Sequence, residues 1–304
     1  MPKLKIGTRG SPLALAQAHE TRSRLMAAHA LTESDIEIVV ITTTGDRIRD
    51  RPLSEIGGKG LFTKEIEEAL FAGDIHLAVH SMKDMPAQLP DGLVMAAYLP
   101  REDARDAFLS PVVASIDDLP MGATVGSSSV RRAAQLKRLR PDLDVIQFRG
   151  NVETRLRKLA EGVAQATFLA CAGLNRLGLA SKITSIVPID KMLPAVAQGC
   201  IGIECRVADS VTRGMLDAIN HGPTETVVTC ERAFLAALDG SCRTPLAGHA
   251  VLEGGIIRFR GEALTHDGAH CFDTRRDGAP ADAERMGREA GEEVKARGGA
   301  LIAY

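Results

Sequence analysis

Short apolar or β-branched runs alternate along this chain with longer stretches whose apolar residues recur every three or four positions. That alternation is the mark of strands and helices layered in an α/β fold. LKIGT (4–8) predicts a strand, and the stretch from Pro12 to about Ala28 a helix. IEIVVITT (36–43) and IHLAVHS (75–81) predict two more strands. Between them TGDRIRDRPLSEIGGKG (44–60) is polar, charged and glycine-rich. So long a connection with little to bury reads as a mobile lid or a disordered segment. A second set of elements begins after LPREDARDAF (99–108). It comprises ATVGS (123–127), a helix from about Val130 to Leu139, DVIQFRG (144–150), a helix from Val152 to about Ala160, and ATFLACAG (166–173). From about Pro223 a helix through 225–238 leads into hairpin-like strands. There GGIIRFRGEALTH (254–266) alternates behind a GG turn, and a last helix covers about 281–297. No repeat of fixed period and no low-complexity tract interrupts this order.

Composition narrows the class. A chain of 304 residues can hold two or three domains, each with its own core. With 45% hydrophobic and 25% charged residues it reads as an ordinary soluble protein. No apolar run approaches the roughly 20 residues of a membrane span. MPKLKIGTRG lacks the apolar core of about 7–15 residues that marks a secretory signal. The expectation is a cytoplasmic protein with no membrane partner. The six cysteines, at 171, 200, 205, 230, 242 and 271, form no C-x-x-C pair and meet no histidine cluster at zinc spacing. Reduced thiols and no metal are therefore expected.

The net charge of −2 conceals an imbalance of type: 27 arginines stand against 10 lysines. The stretch 127–158 alone carries nine basic residues and three acidic ones. Arginine is the better fork for carboxylates and phosphates, which points to an anionic ligand. Nucleic acid fits poorly, because ten aromatic residues and no tryptophan are meagre material for stacking bases.

Three segments share one plan of strand, polar loop and helix start. In GTRGSPLALAQ, Arg9 and Ser11 precede Pro12, which suits a first helical position. In TVGSSSVRRAAQL, Ser127, Ser128 and Ser129 precede Arg131 and Arg132. In IQFRGNVETRL, Arg149 ends a strand, Asn151 can cap, and Arg155 follows one turn in. Serine and asparagine are common helix caps, so any one site alone reads as capping. A cation at a helix N-terminus opposes the dipole, however, and three such sites together favour an anion held among them.

Strand 75–81 runs into His80-Ser81-Met82-Lys83-Asp84-Met85-Pro86. The carboxyl end of a strand in an open α/β sheet faces the ligand crevice. Lys83 could pair with a carboxylate or form a Schiff base, and Asp84 could stabilise a developing cation. A solvated turn with a weak ion pair fits the same residues. ERAFLAALDGSCRTPLAG sets Cys242 on a turn after a helix, beside Arg243. A thiol so placed can ionise and act as a nucleophile, yet most cysteines are small buried hydrophobes, and the spacing alone leaves both readings open.

Taken together, ERAFLAALDGSCRTPLA, VHSMKDMP, VGSSSVRR, FRGNVETR, CAGLNRLGL, LPAVAQGCIGIECR and TRGSPLALAQ resemble the motifs of the porphobilinogen deaminase (hydroxymethylbilane synthase) family, in that family's order from about residue 4 to the end. The first of these resembles the family's cofactor-attachment signature. The resemblance implies an α/β fold: two periplasmic-binding-protein-like α/β domains plus a smaller C-terminal α+β domain. Domain 1 would span 1–99 plus 200–217, domain 2 105–193, and domain 3 222–304 with the cofactor cysteine.

It further implies a transferase that joins four porphobilinogen molecules head to tail with loss of ammonia, giving hydroxymethylbilane for tetrapyrrole and haem biosynthesis. Cys242 would carry a dipyrromethane cofactor through a thioether, and Asp84 would be the catalytic carboxylate. Ser81, Lys83, Ser127, Ser128, Ser129, Arg131 and Arg132 would bind the cofactor. Arg9, Ser11, Lys59, Arg149, Arg155, Arg176 and Gln198 would bind substrate. The enzyme would be a monomer without metal, passing its product to uroporphyrinogen-III synthase. The chain departs from the family pattern at Glu55, where many relatives have Lys, at Ser127 for Thr, at Asn175 for Lys and at Ala197 for Gly. A non-enzymatic module of the same fold, binding an anionic ligand and forming no adduct, is the rival reading.

Overall fold

A computed structural model describes residues 3–47, 60–240 and 244–302. In chain order the elements are β1 (Leu4–Thr8), α1 (Pro12–His29), β2 (Ile36–Val40), α2 (Thr44–Arg47), α3 (Lys64–Ala72), β3 (Leu77–Ser81), β4 (Leu93–Tyr98) and β5 (Asp106–Leu109). There follow β6 (Thr124–Gly126), α4 (Val130–Leu139), β7 (Asp144–Ile146), α5 (Val152–Ala160), β8 (Ala166–Ala170), α6 (Cys171–Arg176) and β9 (Ser185–Ile186). The last are β10 (Ile201–Arg206), α7 (Ser210–Asp217), α8 (Gly222–Ala237), β11 (Leu246–Glu253), β12 (Ile256–Leu264), β13 (Cys271–Gly278) and α9 (Ala283–Gly298).

The chain folds into two compact units. One takes its described residues from 3–47, 60–101 and 200–225, the other from 102–199 and 226–302. The first is built on a five-stranded sheet in the order β2-β1-β3-β10-β4. β1 pairs in parallel with β2 and β3, while β10 returns antiparallel between β3 and β4. Ile6, Leu77, Val79, Ile201 and Ile203 pack there with Leu25 of α1 in one core. Five of the six β10 residues are buried, as befits a strand covered on both faces.

The second unit holds two sheets. One has the order β7-β6-β8-β5-β9, and its core centres on Phe108 and Phe168, whose rings meet edge-on at 5.4 Å. The other is the antiparallel meander β11-β12-β13, where Phe234 of α8 lies against Phe259 of β12 at 5.2 Å. On α9, Gly287 and Gly291 sit four apart on one face. A Cβ at Gly287 would lie 2.0 Å from the Cys230 carbonyl oxygen, and one at Gly291 would lie 2.8 Å from that of Phe234. The two glycines thus let α9 and α8 approach backbone to backbone.

The helices at Pro12, Val130 and Val152 begin where the capping residues predict, and Ser11, Ser129 and Asn151 each accept a backbone N–H from three residues on. Three predicted strands end early. IEIVVITT stops at Val40, because Thr43 turns the chain by donating its hydroxyl to Asp46 and α2 begins at Thr44. DVIQFRG is strand only to Ile146, since the Phe148 amide leaves the sheet to meet the Ser128 hydroxyl at 3.1 Å. ATFLACAG is strand to Ala170, the last residue opposite β5, and Cys171 opens α6. Of the segment read as a lid, 44–47 forms α2 and 48–59 lies outside the described residues.

Candidate active site

β3 carries the candidate catalytic residue to the end of the first sheet. After Ser81 the chain makes one 3₁₀ turn, Met82–Asp84. The Met82 amide donates to the Cys200 carbonyl at 3.0 Å. Its side chain is buried over Gly202, where a Cβ would come within 2.1 Å of the Met82 sulfur. Met85 is buried as well. Two buried methionines bracketing Lys83 and Asp84 thus anchor the turn. Asp84 lines a pocket with Arg9, Ser11, Gln17, Phe62, His80 and Ser81. Among the described residues no protein group bonds the Asp84 carboxylate.

Arg9 is held from two sides. Its Nε donates to Asp46 Oδ2 at 3.1 Å and its Nη2 to Oδ1 at 2.5 Å, while its guanidinium lies 4.1 Å over the Phe62 ring. Burial pushes the Asp46 carboxyl up, but hydrogen bonds and charge from Arg9, with Thr43 as a further donor, outweigh it and hold the group below the usual carboxylate range. The sequence reading placed Arg9 here and missed the acid that matches it. It also missed Gln17, which exchanges hydrogen bonds with the Ser81 hydroxyl at 2.8 and 3.0 Å. A buried glutamine on the sheet-facing side of a helix was the available signal.

Beneath the pocket three ionisable groups are buried together. His80 Nε2 lies 2.9 Å from Glu204 Oε2 across the β3–β10 pair, and Glu67 of α3 is nearby, 9% exposed. Glu67 Oε1 and Glu204 Oε1 meet no hydrogen-bond partner among the described residues. Burial pushes the Glu67 carboxyl above its ordinary range, and the Glu204 charge adds to this. The folded chain therefore keeps this proton to higher pH than the unfolded chain. Stability falls as pH rises from the unfolded glutamate value, about 4.3, through the folded one. Glu67→Gln is expected to melt higher than wild type at pH 8, with the gap closing toward pH 4. Thermal melts across that range check it, and a gap that widens in acid would contradict the assignment.

In the second unit the serine and arginine motifs converge on neighbouring loops. Ser127 Oγ accepts from the Ser129 amide at 3.2 Å, and Ser128 Oγ takes the Phe148 amide, laying the FRGN segment beside the three serines. Arg131 and Arg132 are 4% and 5% exposed and share one acid, Asp106, which is fully buried. Arg131 Nη2 reaches Asp106 Oδ2 at 2.8 Å and Arg132 Nη2 reaches Oδ1 at 2.6 Å. Their Nη1 atoms donate to the Leu193 and Phe168 carbonyls. Gln198 Nε2 donates to the same Asp106 at 2.9 Å and to the Ala104 carbonyl at 2.7 Å. Arg155 Nε donates to the Gly150 carbonyl, Lys158 Nζ to that of Arg149, and Arg176 Nη2 to that of Gly199.

Lys83 shares the 3₁₀ turn with Asp84 and is half-buried. Cys242, Arg243, Lys59 and Glu55 lie outside the described residues.

The residues present suit a multiply carboxylated cofactor. Arg131 and Arg132 share the Asp106 carboxylate, and the buried Nε of each meets no acceptor among the described residues. A carboxylate is the group that would complete such a site.

Residues 4–214 match the family model described as porphobilinogen deaminase, dipyromethane cofactor binding domain, and residues 226–296 match porphobilinogen deaminase, C-terminal domain. Over 294 residues the chain is 60% identical to the porphobilinogen deaminase of Paracoccus denitrificans (strain Pd 1222), covering 97% of this chain and 94% of that protein. It is 56% identical to that of Nitrobacter winogradskyi over the same length, covering 97% and 93%. Among solved structures it is similar to the methionine binding protein MetQ, with 15% identity, a TM-score of 0.45, and 71% and 89% of the two chains covered.

The class defined is a transferase that assembles pyrroles on a two-sheet α/β scaffold with a smaller C-terminal sheet-and-helix part. The chain belongs to the porphobilinogen deaminase family. Its substrate is porphobilinogen, its product hydroxymethylbilane, and its cofactor dipyrromethane. Among the described residues no helix is long and apolar enough to cross a membrane.

Proposed function

We propose that the condensation takes place at Asp84, with the cofactor tethered through a thioether to Cys242. The observation that carries this reading is a carboxylate that no group among the described residues engages, in a pocket where Arg9 already has Asp46 as its partner. The Asp84 carboxylate is thus left to the substrate. It accepts hydrogen bonds from pyrrole N–H groups and stabilises the positive charge that forms on the substrate as the C–N bond breaks and ammonia departs. The cofactor, when bound, supplies the nucleophilic pyrrole carbon on which the chain is extended. Ser81, with Gln17 holding its hydroxyl, and Lys83 border the reacting ring, and Arg9 and Ser11 face the substrate's carboxylates. Ser127, Ser128, Ser129, Arg131 and Arg132 hold those of the cofactor. Arg149, Arg155, Arg176, Gln198 and Lys59 serve the lengthening polyanion, since every added ring brings two more carboxylates.

Residues 222–304 act as a third domain presenting the cysteine. The enzyme works as a cytoplasmic monomer and passes its product to uroporphyrinogen-III synthase. Intact mass tests the tether. Wild-type chain is expected heavier than its sequence by two pyrrole units, and Cys242→Ser is expected at sequence mass and inactive. An unmodified wild type, or an active Cys242→Ser, would refute the reading.

A further inference from the structure

One buried acid of the second unit lies outside the machinery described above. Glu231 is fully buried in α8, two turns before that helix ends at Ala237. Its two carboxylate oxygens are directed to two different stretches of backbone. Oε1 accepts the Ala250 amide at 2.7 Å, inside β11, and Oε2 accepts the Ala197 amide at 2.6 Å. Residues 231 and 250 flank the segment that contains Cys242, one on the helix leading in and the other on the strand leading out. Glu231 therefore fastens both arms of that segment to the 194–199 turn.

That turn is itself constrained. Ala197 has φ of 57°, a left-handed conformation unusual for a residue with a side chain, and its amide is the group that Glu231 takes. The next residue, Gln198, is 1% exposed and grips Asp106, which in turn holds Arg131 and Arg132. A continuous path of buried bonds thus runs from the arms of the cysteine segment, through one carboxylate and a strained turn, to the paired arginines. A carboxylate accepts two amides at once. A glutamine in its place turns an NH₂ toward one of them, leaving a buried donor without an acceptor.

We propose that Glu231 is a positioning residue for the cofactor: it registers the segment bearing Cys242 against the Gln198–Asp106–arginine cluster, so that the tethered group meets the arginines that hold its carboxylates. The proposal rests on the reading of Cys242 as the attachment point, and Glu231 itself takes no part in bond making. Because coupling between two sites is reciprocal, attachment of the cofactor must in turn steady the Ala197 turn.

Two measurements test this. Folded monomer of Glu231→Gln, isolated by size exclusion, is weighed intact beside folded wild type. A loaded fraction lowered on the order of fivefold or more is expected, the lower end of ordinary coupling between sites. Full loading of folded Glu231→Gln would overturn the proposal, because a merely structural staple lowers the yield of folded chain and leaves its loading intact. Hydrogen exchange at the Ala197 amide is then compared between loaded wild type and the unloaded Cys242→Ser chain, which needs no variant of Glu231. Slower exchange in the loaded chain is expected, and equal rates would overturn the proposal even where Glu231→Gln fails to fold. Should wild type itself carry no adduct, the attachment reading fails, which is a separate result.

Discussion

Asp84→Asn leaves a well-folded protein whose kcat is lower by on the order of 10²–10³ or more, the cost of removing one charge aimed at a transition state. Both parts of that expectation follow from the pocket. Among the described residues no group bonds the carboxylate, so an isosteric amide disturbs none of these partners and the melting temperature is expected to stay at the wild-type value. The turn is fixed instead by the Met82 amide bond to Cys200 and by the two buried methionines, none of which the substitution touches. On the proposed reading, what disappears is the negative charge opposite the departing ammonia, and Asp46 does not replace it because its carboxylate is engaged by Arg9. Steady-state kinetics with porphobilinogen, beside a thermal melt, read both effects. Retention of more than about a tenth of wild-type kcat, well short of the loss expected for such a group, would remove Asp84 from its assigned role.

The second large effect is on stability. Asp106→Asn is expected to cost about 3–5 kcal/mol, the usual penalty for breaking a buried ion pair from one side. Here one side holds two guanidiniums, both 5% exposed or less, whose charges would face each other with no acid between them. In wild type, burial pushes the Asp106 carboxyl up, but the charges of Arg131 and Arg132 prevail and hold it far below the ordinary aspartate range. The sign for pH follows from that depression. The contribution is fully present above the unfolded aspartate value, about 3.9, and is lost as pH falls below it toward the folded value. The stability gap between wild type and Asp106→Asn is therefore expected to be flat from pH 8 to about 5 and to narrow in stronger acid. Denaturant melts at several pH values check this. A gap under about 1 kcal/mol at neutral pH would show that the arginines find other partners.

Local structure was legible in the sequence where short-range chemistry decides it. Pro12 behind Ser11, the serine before Val130 and the asparagine before Val152 each marked a helix start that the structure confirms, because capping involves residues only three apart. The family motifs made Asp84 and the arginines candidates for the same reason: each is a contiguous string. What stayed hidden was the partner of each charge. Asp46 lies 37 residues from Arg9, Asp106 lies 25 and 26 residues from Arg131 and Arg132, and Glu231 lies 34 residues from Ala197. Only the sheet topology brings these together. The same cause shortened the predicted strands, since a run such as ATFLACAG stops being strand opposite Asp106, where its antiparallel neighbour β5 begins, a limit set by another part of the chain.

The place of β10 has a consequence for how the protein is made. It sits between β3 and β4, yet almost a hundred residues of the other unit separate it from β4 in the chain. As the polypeptide leaves the ribosome, β3 and β4 emerge early with a vacant slot between them. The row of buried side chains meant for that slot stays open until Ile201–Arg206 has been synthesised. The turn that presents Asp84 waits on the same event, because its Met82 amide needs the Cys200 carbonyl. Asp84 is thus among the earlier residues to be synthesised and among the later ones to be set in place, and the nascent chain bears an unfilled sheet through the interval in which aggregation is most dangerous.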